Sequence, residues 1–205
     1  MRSVLCQSMA TLADLVDAIG AGDAEALRFI RSAPELVQAR IEQERFDETI
    51  GHQLYAGDSA LHIAAAAVKP AIVQALLRAG ADPDAVNRRG ASALHYACDP
   101  RPASIWSRTA QREVIEHLVD AGSTIDRVEK AGSTPLRRAI RARSPEAVRC
   151  LLERGADANA PHGKQRTSPL ELARHSTGAS GTKGARAEQE QIIALLLANV
   201  TPNGE

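Results

Sequence analysis

Gly57-Asp58-Ser59-Ala60-Leu61-His62-Ile63-Ala64 is the stretch that decides the fold, because the chain returns to it three times. Gly90-Ala91-Ser92-Ala93-Leu94-His95-Tyr96-Ala97 is a close copy. Gly132-Ser133-Thr134-Pro135-Leu136-Arg137-Arg138-Ala139 and Arg166-Thr167-Ser168-Pro169-Leu170-Glu171-Leu172-Ala173 keep its skeleton. The aligned leucines 61, 94, 136 and 170 lie 33, 42 and 34 residues apart. Each copy is followed by a second apolar block, as in Ile72, Val73, Leu76 and Leu77 and in Val148, Leu151 and Leu152. Self-similarity at a period of this size marks a stacked-repeat architecture.

The residue types explain the unit. Ser59, Ser92, Thr134 and Ser168 suit helix N-caps, whose oxygens accept from free N–H groups of the first turn. Pro135 and Pro169 follow at the position where a missing N–H costs nothing. The leucine and the small alanine after it point into the stack. In the second helix, apolar pairs recur at i, i+4. Gly80, Gly122 and Gly155 stop it, and Asp82-Pro83-Asp84 and Asp157-Ala158-Asn159 supply turn chemistry. One such helix pair cannot bury its apolar face alone, so neighbours must stack.

These residues resemble the ankyrin repeat, with its T-P-L-H-x-A signature. The resemblance implies an all-α fold, an ankyrin-repeat solenoid of helix-turn-helix units with protruding hairpin-like loops. It covers residues 12–200 as a single domain, between tails at 1–11 and 201–205, with Met9 as a second candidate start. Five units are expected, near 12–40, 54–86, 87–128, 129–161 and 163–200, with 41–53 inserted after the first. The first unit rests on Leu12–Ala18, the Gly22-Asp23 turn, the stripe Ala26, Leu27, Phe29 and Ile30, and a further turn from Pro34. Arg137 and Glu171 stand where the family has histidine, and Arg166 where it has the turn glycine. The resemblance makes His62 and His95 braces of the turn rather than catalytic groups.

In this family the loop tips and first helices line a concave groove that binds partners. Carried over position by position, the groove takes Tyr55 and Asp58, then Arg88, Arg89 and Asp99, then Lys130, Ser133 and Arg141, then Lys164, Gln165 and Thr167. Arg88, Arg89, Lys130, Arg141 and Lys164 would form a basic stripe suited to an acidic protein segment. The alternative for these charges is an ordinary solvated face.

Function often sits where a regular scaffold is interrupted. The interruptions are the charged stretch Arg40–Gln53, nine extra residues near Asp99–Ser107, and about ten Gly- and Ser-rich residues near His175–Ala185. Arg101 and Trp106 lie in the second. Trp106, the lone tryptophan, either anchors a partner or folds back on its own loop.

Composition narrows the classes. Aromatic residues are 2% against 44% apolar overall, which favours small-to-small helix packing over a ring-built core. Lys plus Arg equals Asp plus Glu at 25 each. The charge is uneven, with net −4 over residues 1–56 and net +6 over 87–175. That suits a local charged surface better than a nucleic-acid coat. Three cysteines make no disulfide framework, which fits a reducing, cytoplasmic setting. No apolar run approaches a membrane span.

No constellation for chemistry emerges. Gly178–Gly184 lacks the order of a phosphate loop, since Lys183 precedes its glycine and no hydroxyl follows. His95 and Cys98 share a helix face, but no four-ligand metal set forms around them. The expectation is a protein-binding module, a scaffold, adaptor or inhibitor, with no enzymatic activity, cofactor or metal, and a monomer by default. An active site on the inserted loops and nucleic-acid binding through the basic stripe are the alternatives.

Overall fold

The computed structural model describes residues 10–99, 107–159, 166–175 and 183–199. Ten α-helices fall there in pairs. They are α1 (Leu12–Ala21) with α2 (Asp23–Ser32), α3 (Ala60–Ala66) with α4 (Pro70–Arg78), α5 (Ala93–Ala97) with α6 (Arg108–Asp120), α7 (Pro135–Arg141) with α8 (Pro145–Glu153), and α9 (Pro169–His175) with α10 (Lys183–Asn199). Each helix packs on its own partner and on the equivalent helix of the next pair. The first helices therefore form one layer and the second helices another, which is an all-α solenoid.

The stack is held by the aligned apolar positions. Leu61, Leu94 and Leu136 are buried, each worth roughly 2 kcal/mol by area removed from water. Leu170 is only half-buried, because no further pair stacks beyond it among the described residues. Ile72, Val73 and Leu76 of α4, Val114, Ile115 and Leu118 of α6, and Val148 and Leu151 of α8 close the second layer. Glutamines tie the layers together, Gln189 of α10 donating to the carbonyl of Ala173 in α9 at 2.8 Å. Buried Gln111 donates to the carbonyl of Ala97 at 2.8 Å and accepts from the hydroxyl of Ser144 at 2.7 Å.

The stretch at 41–53 is not a charged loop. Strands β1 (Arg45–Asp47) and β2 (His52–Leu54) pair antiparallel across it. Asp47 is buried and accepts from the N–H groups of Thr49 and Ile50, both at 3.1 Å, which closes the turn. Ile50 and Leu54 join the core. The tip lies against α1, where a Cβ on Gly20 would come within 2.5 Å of Thr49 Cγ2. The hairpin thus packs its tip on α1 and adds Ile50 and Leu54 to the core.

The helices that follow the two later interruptions are longer than their counterparts. α6 has 13 residues and α10 has 17, against 9 in α4 and 9 in α8. His175 closes α9 and residues 183–185 open α10, so these ends of the Gly- and Ser-rich stretch are helical rather than loop.

Candidate partner-binding surface

The first helices are tied to the next unit by one recurring device. Ser59 N–H and Ser92 N–H donate to Nδ1 of His62 and His95, both at 3.2 Å. With Nδ1 accepting, Nε2 carries the proton and reaches forward to a carbonyl, Ala91 for His62 and Ser133 for His95, both at 3.1 Å. Burial holds both rings neutral. It pushes His62 below its ordinary value and His95 down to about 3. Arg137, in the histidine's place, reaches Thr167 O at 2.8 Å. Glu171, in the last pair, turns back and accepts from Ser168 N–H at 2.8 Å. The departures from the signature therefore preserve the device and then terminate it.

The forward ties hold the loop tips in a row. Gly57 N–H donates to Ile41 O, Arg88 N–H to Ala56 O and Lys130 N–H to Arg89 O, at 2.8, 2.8 and 2.9 Å. The approach is close at Gly57 (φ 89°), where a Cβ would sit 3.0 Å from Asn87 Cα. Beneath the tips lies a buried polar cluster. Asp58 accepts from Tyr55 N–H at 2.7 Å, from Asn87 Nδ2 at 2.9 Å, and from Tyr96 Oη at 2.9 and 3.0 Å. Burial first, and then the Asp58 charge, push the Tyr96 phenol far up. The Arg138–Glu129 pair, at 2.8 Å, continues the cluster under the next tip, with Arg138 over the Tyr96 ring at 5.9 Å.

This placement corrects two expected contact residues. Asp58 is fully buried and Ser133 nearly so, because each sits inside the base of a tip. Neither side chain is exposed. Thr167 is half-buried and spends its carbonyl on Arg137. Asp99 is half-buried at the end of α5. Arg101, Trp106, Lys164 and Gln165 lie outside the described residues.

The remaining cations differ in how free they are. Arg88 is gripped by both oxygens of Glu44, Nη2 to Oε2 at 2.8 Å, which removes it as an uncompensated charge. Arg89 donates to Tyr55 Oη at 2.9 Å and lies over that ring at 4.8 Å, so it keeps its charge in a fixed pose. Lys130 and Arg141 are exposed, and neither forms an ion pair among the described residues. The second-helix layer carries several paired arginines, beside Arg28, Arg31 and Arg78, which are exposed without ion pairs among the described residues. Arg112 bonds Glu116, Glu146 and Glu153 at 2.9, 2.8 and 2.7 Å, Arg154 pairs with Asp120, and Arg108 with Glu188. Sequence reading missed Glu44 as the partner of Arg88, since they are 44 residues apart with no shared period.

Cys98 and Cys150 are buried thiols. Burial pushes both up, Cys150 to about 11, so neither is a thiolate near neutrality. Among the described residues, no three His, Cys, Asp or Glu side chains are grouped to hold a metal ion, and no helix is long and apolar enough to cross a membrane.

Comparison with known proteins agrees with this geometry. Residues 61–162 match the family model for ankyrin repeats (3 copies). With two layers of stacked helix pairs and a row of loop tips, the chain is an ankyrin-repeat protein. Ankyrin repeats are protein–protein interaction modules. Human (Homo sapiens) B-cell lymphoma 3 protein is 36% identical over 110 residues, which is 54% of this chain and 23% of that protein. The mouse (Mus musculus) B-cell lymphoma 3 protein homolog is 34% identical over 110 residues, again 54% of this chain and 23% of that protein. The E3 ubiquitin-protein ligase KEG of Arabidopsis thaliana is 36% identical over 75 residues, 36% of this chain and 4% of that protein. The chain thus spans less than a quarter of the length of each of these relatives.

Proposed function

We propose that this chain is a non-catalytic binding module, a scaffold, adaptor or inhibitor, built as one domain over residues 12–200. It binds another protein through its loop tips and first-helix layer. The partner contributes an acidic segment. The contact residues are Tyr55, Arg88, Arg89, Lys130, Arg141 and Thr167, joined by Asp99, Arg101, Trp106, Lys164 and Gln165. The chain acts as a monomer in the cytoplasm.

One observation carries the reading. The cations of the loop tips and first helices include Lys130 and Arg141 without ion pairs among the described residues, and Arg89 fixed on a tyrosine ring. In the second layer Arg108, Arg112 and Arg154 are taken up by carboxylates, while Arg28, Arg31 and Arg78 of α2 and α4 stand exposed away from the loop tips. Uncompensated charge beside a fixed row of loop tips steers an oppositely charged partner to them.

The test is affinity capture from native lysate with quantitative mass spectrometry. Wild type is compared with Arg89→Glu/Lys130→Glu/Arg141→Glu, whose fold is checked by circular dichroism. A protein retained by wild type and lost by the folded variant supports the reading. Equal retention by both removes the basic tips as the contact.

A further inference from the structure

Four large apolar side chains stand exposed among the described residues, and two of them, Val86 and Val128, share one register that Phe46 flanks. Phe46 is 57% exposed, Val86 42% and Val128 49%; the fourth, Leu197, lies apart on α10. Val86 and Val128 each stand four residues before a turn glycine, Gly90 and Gly132, and Gln53 stands four before Gly57. The next residue inward is buried every time, as Leu54, Asn87 and Glu129. Alternation along an extended arm therefore puts Gln53, Val86 and Val128 on the outer face. Phe46 is the cross-strand partner of Gln53, and directly opposed residues share a face. The result is an apolar row over three successive arms, which are joined by the Ala56–Arg88 and Arg89–Lys130 backbone bonds.

We infer that this row seats an extended, acidic segment of a protein partner, with an apolar side chain at every third position. The inference rests on the protein-binding reading above and adds the form of the ligand. Stacked helices set successive arms roughly 9 Å apart. An extended left-handed polyproline II segment advances about 3.1 Å per residue and returns to the same face every third residue. Its i, i+3 and i+6 side chains therefore meet the arms of Gln53, Val86 and Val128 in turn, with Phe46 beside Gln53 on the neighbouring strand. Charge complementarity selects the occupant. Lys130 follows Val128 by two residues and Arg89 follows Val86 by three, so carboxylates between the apolar residues meet cations beside the row. A second copy of this chain would bring the same cations against one another.

The probe is a fluorescein-labelled twelve-residue peptide of repeated Leu-Asp-Glu, read by fluorescence anisotropy on the full chain. A control peptide has the same composition with leucine at alternate positions. The wild type binds the first peptide more tightly than the control. Val86→Ser and Val128→Ser each weaken it about tenfold, and Lys130→Glu weakens it as well. Both valines are exposed, so the serine variants keep their fold, which circular dichroism checks. Equal binding by wild type and both valine variants overturns the row, and loss with Lys130→Glu alone would leave the charge-based reading standing. No binding by the wild type overturns the inference. So does self-association in sedimentation that disappears in Val86→Ser/Val128→Ser, because a second copy would then cover the row.

Discussion

Arg137 donates from Nη1 to the carbonyl of Thr167, 30 residues further along, at 2.8 Å. His62 and His95 make the same forward reach from the same position of their own units. A cationic side chain has thus replaced a neutral ring without loss of the tie between the fourth first helix, α7, and the fifth, α9. Arg137→Ala should cost about 1 kcal/mol and should loosen the last pair first. Hydrogen exchange would show faster exchange in α9 and α10 with α3 and α4 unchanged. Uniform acceleration along the stack would count against a local tie.

Acid should weaken the stack through the two histidines. Both have folded values below the unfolded value of about 6.5 because burial penalises the charged ring. The unfolded chain binds the extra protons, so their contribution is complete above about 6.5. It falls as pH drops from there toward the folded values, by up to about 1.4 kcal/mol per histidine per pH unit. Denaturant melts at pH 7.0 and 5.5 should show this loss. His95→Gln should show a shallower slope, and an unchanged slope would remove His95 as a source.

The hairpin at 41–53 depends on a missing side chain. Gly20→Ala improves the intrinsic helix propensity of α1 by roughly 0.5–1 kcal/mol. The new Cβ would also come within 2.5 Å of Thr49 Cγ2, so the tip must move. Faster exchange over residues 45–54 is expected, with recovery in Gly20→Ala/Thr49→Ser, which removes the clashing methyl. Faster exchange that persists in the double variant would place the cause elsewhere.

Arg166 occupies the turn-glycine position at φ 50°, a left-handed conformation that costs a residue with a Cβ about 1–2 kcal/mol. Arg166→Gly relieves that cost but adds unfolded-state freedom. A net gain of about 0.5–1 kcal/mol is expected, read as a higher Tm. A lower Tm would mean that the Arg166 side chain contributes more than its backbone costs.

Tyr96→Phe removes one donor from buried Asp58 while leaving the ring in place. Asp58 keeps Asn87 Nδ2 and Tyr55 N–H, so the loss should be about 1–3 kcal/mol rather than complete unfolding. Urea melts measure it. An unchanged midpoint would show that Asn87 and Tyr55 suffice.

The fold was legible because its signals are local and repeated. Leu61, Leu94 and Leu136 stand at one offset and are all buried, and the serine and threonine caps mark where their helices begin. The hairpin was not legible, since three-residue strands carry too little alternation to read and Glu42, Glu44 and Glu48 mask Ile50 and Leu54. Asp58 and Ser133 read as groove residues by their position in the repeat that the chain resembles. Their burial follows from Asn87 and Tyr96, which close over Asp58 from a later unit, and from the carbonyl that Ser133 lends to His95. Val86 and Val128 share a register visible in the sequence, but a search for charge passes over them.

The most direct test of the binding claim is site-specific photocrosslinking from two positions on the same folded chain. A photoreactive residue replaces Lys130 on the loop-tip side or the exposed Arg149 on α8 of the second layer. The account predicts that one protein species is crosslinked from position 130 in lysate and is absent from position 149. The same adduct from both positions, or an adduct from position 149 alone, would contradict it.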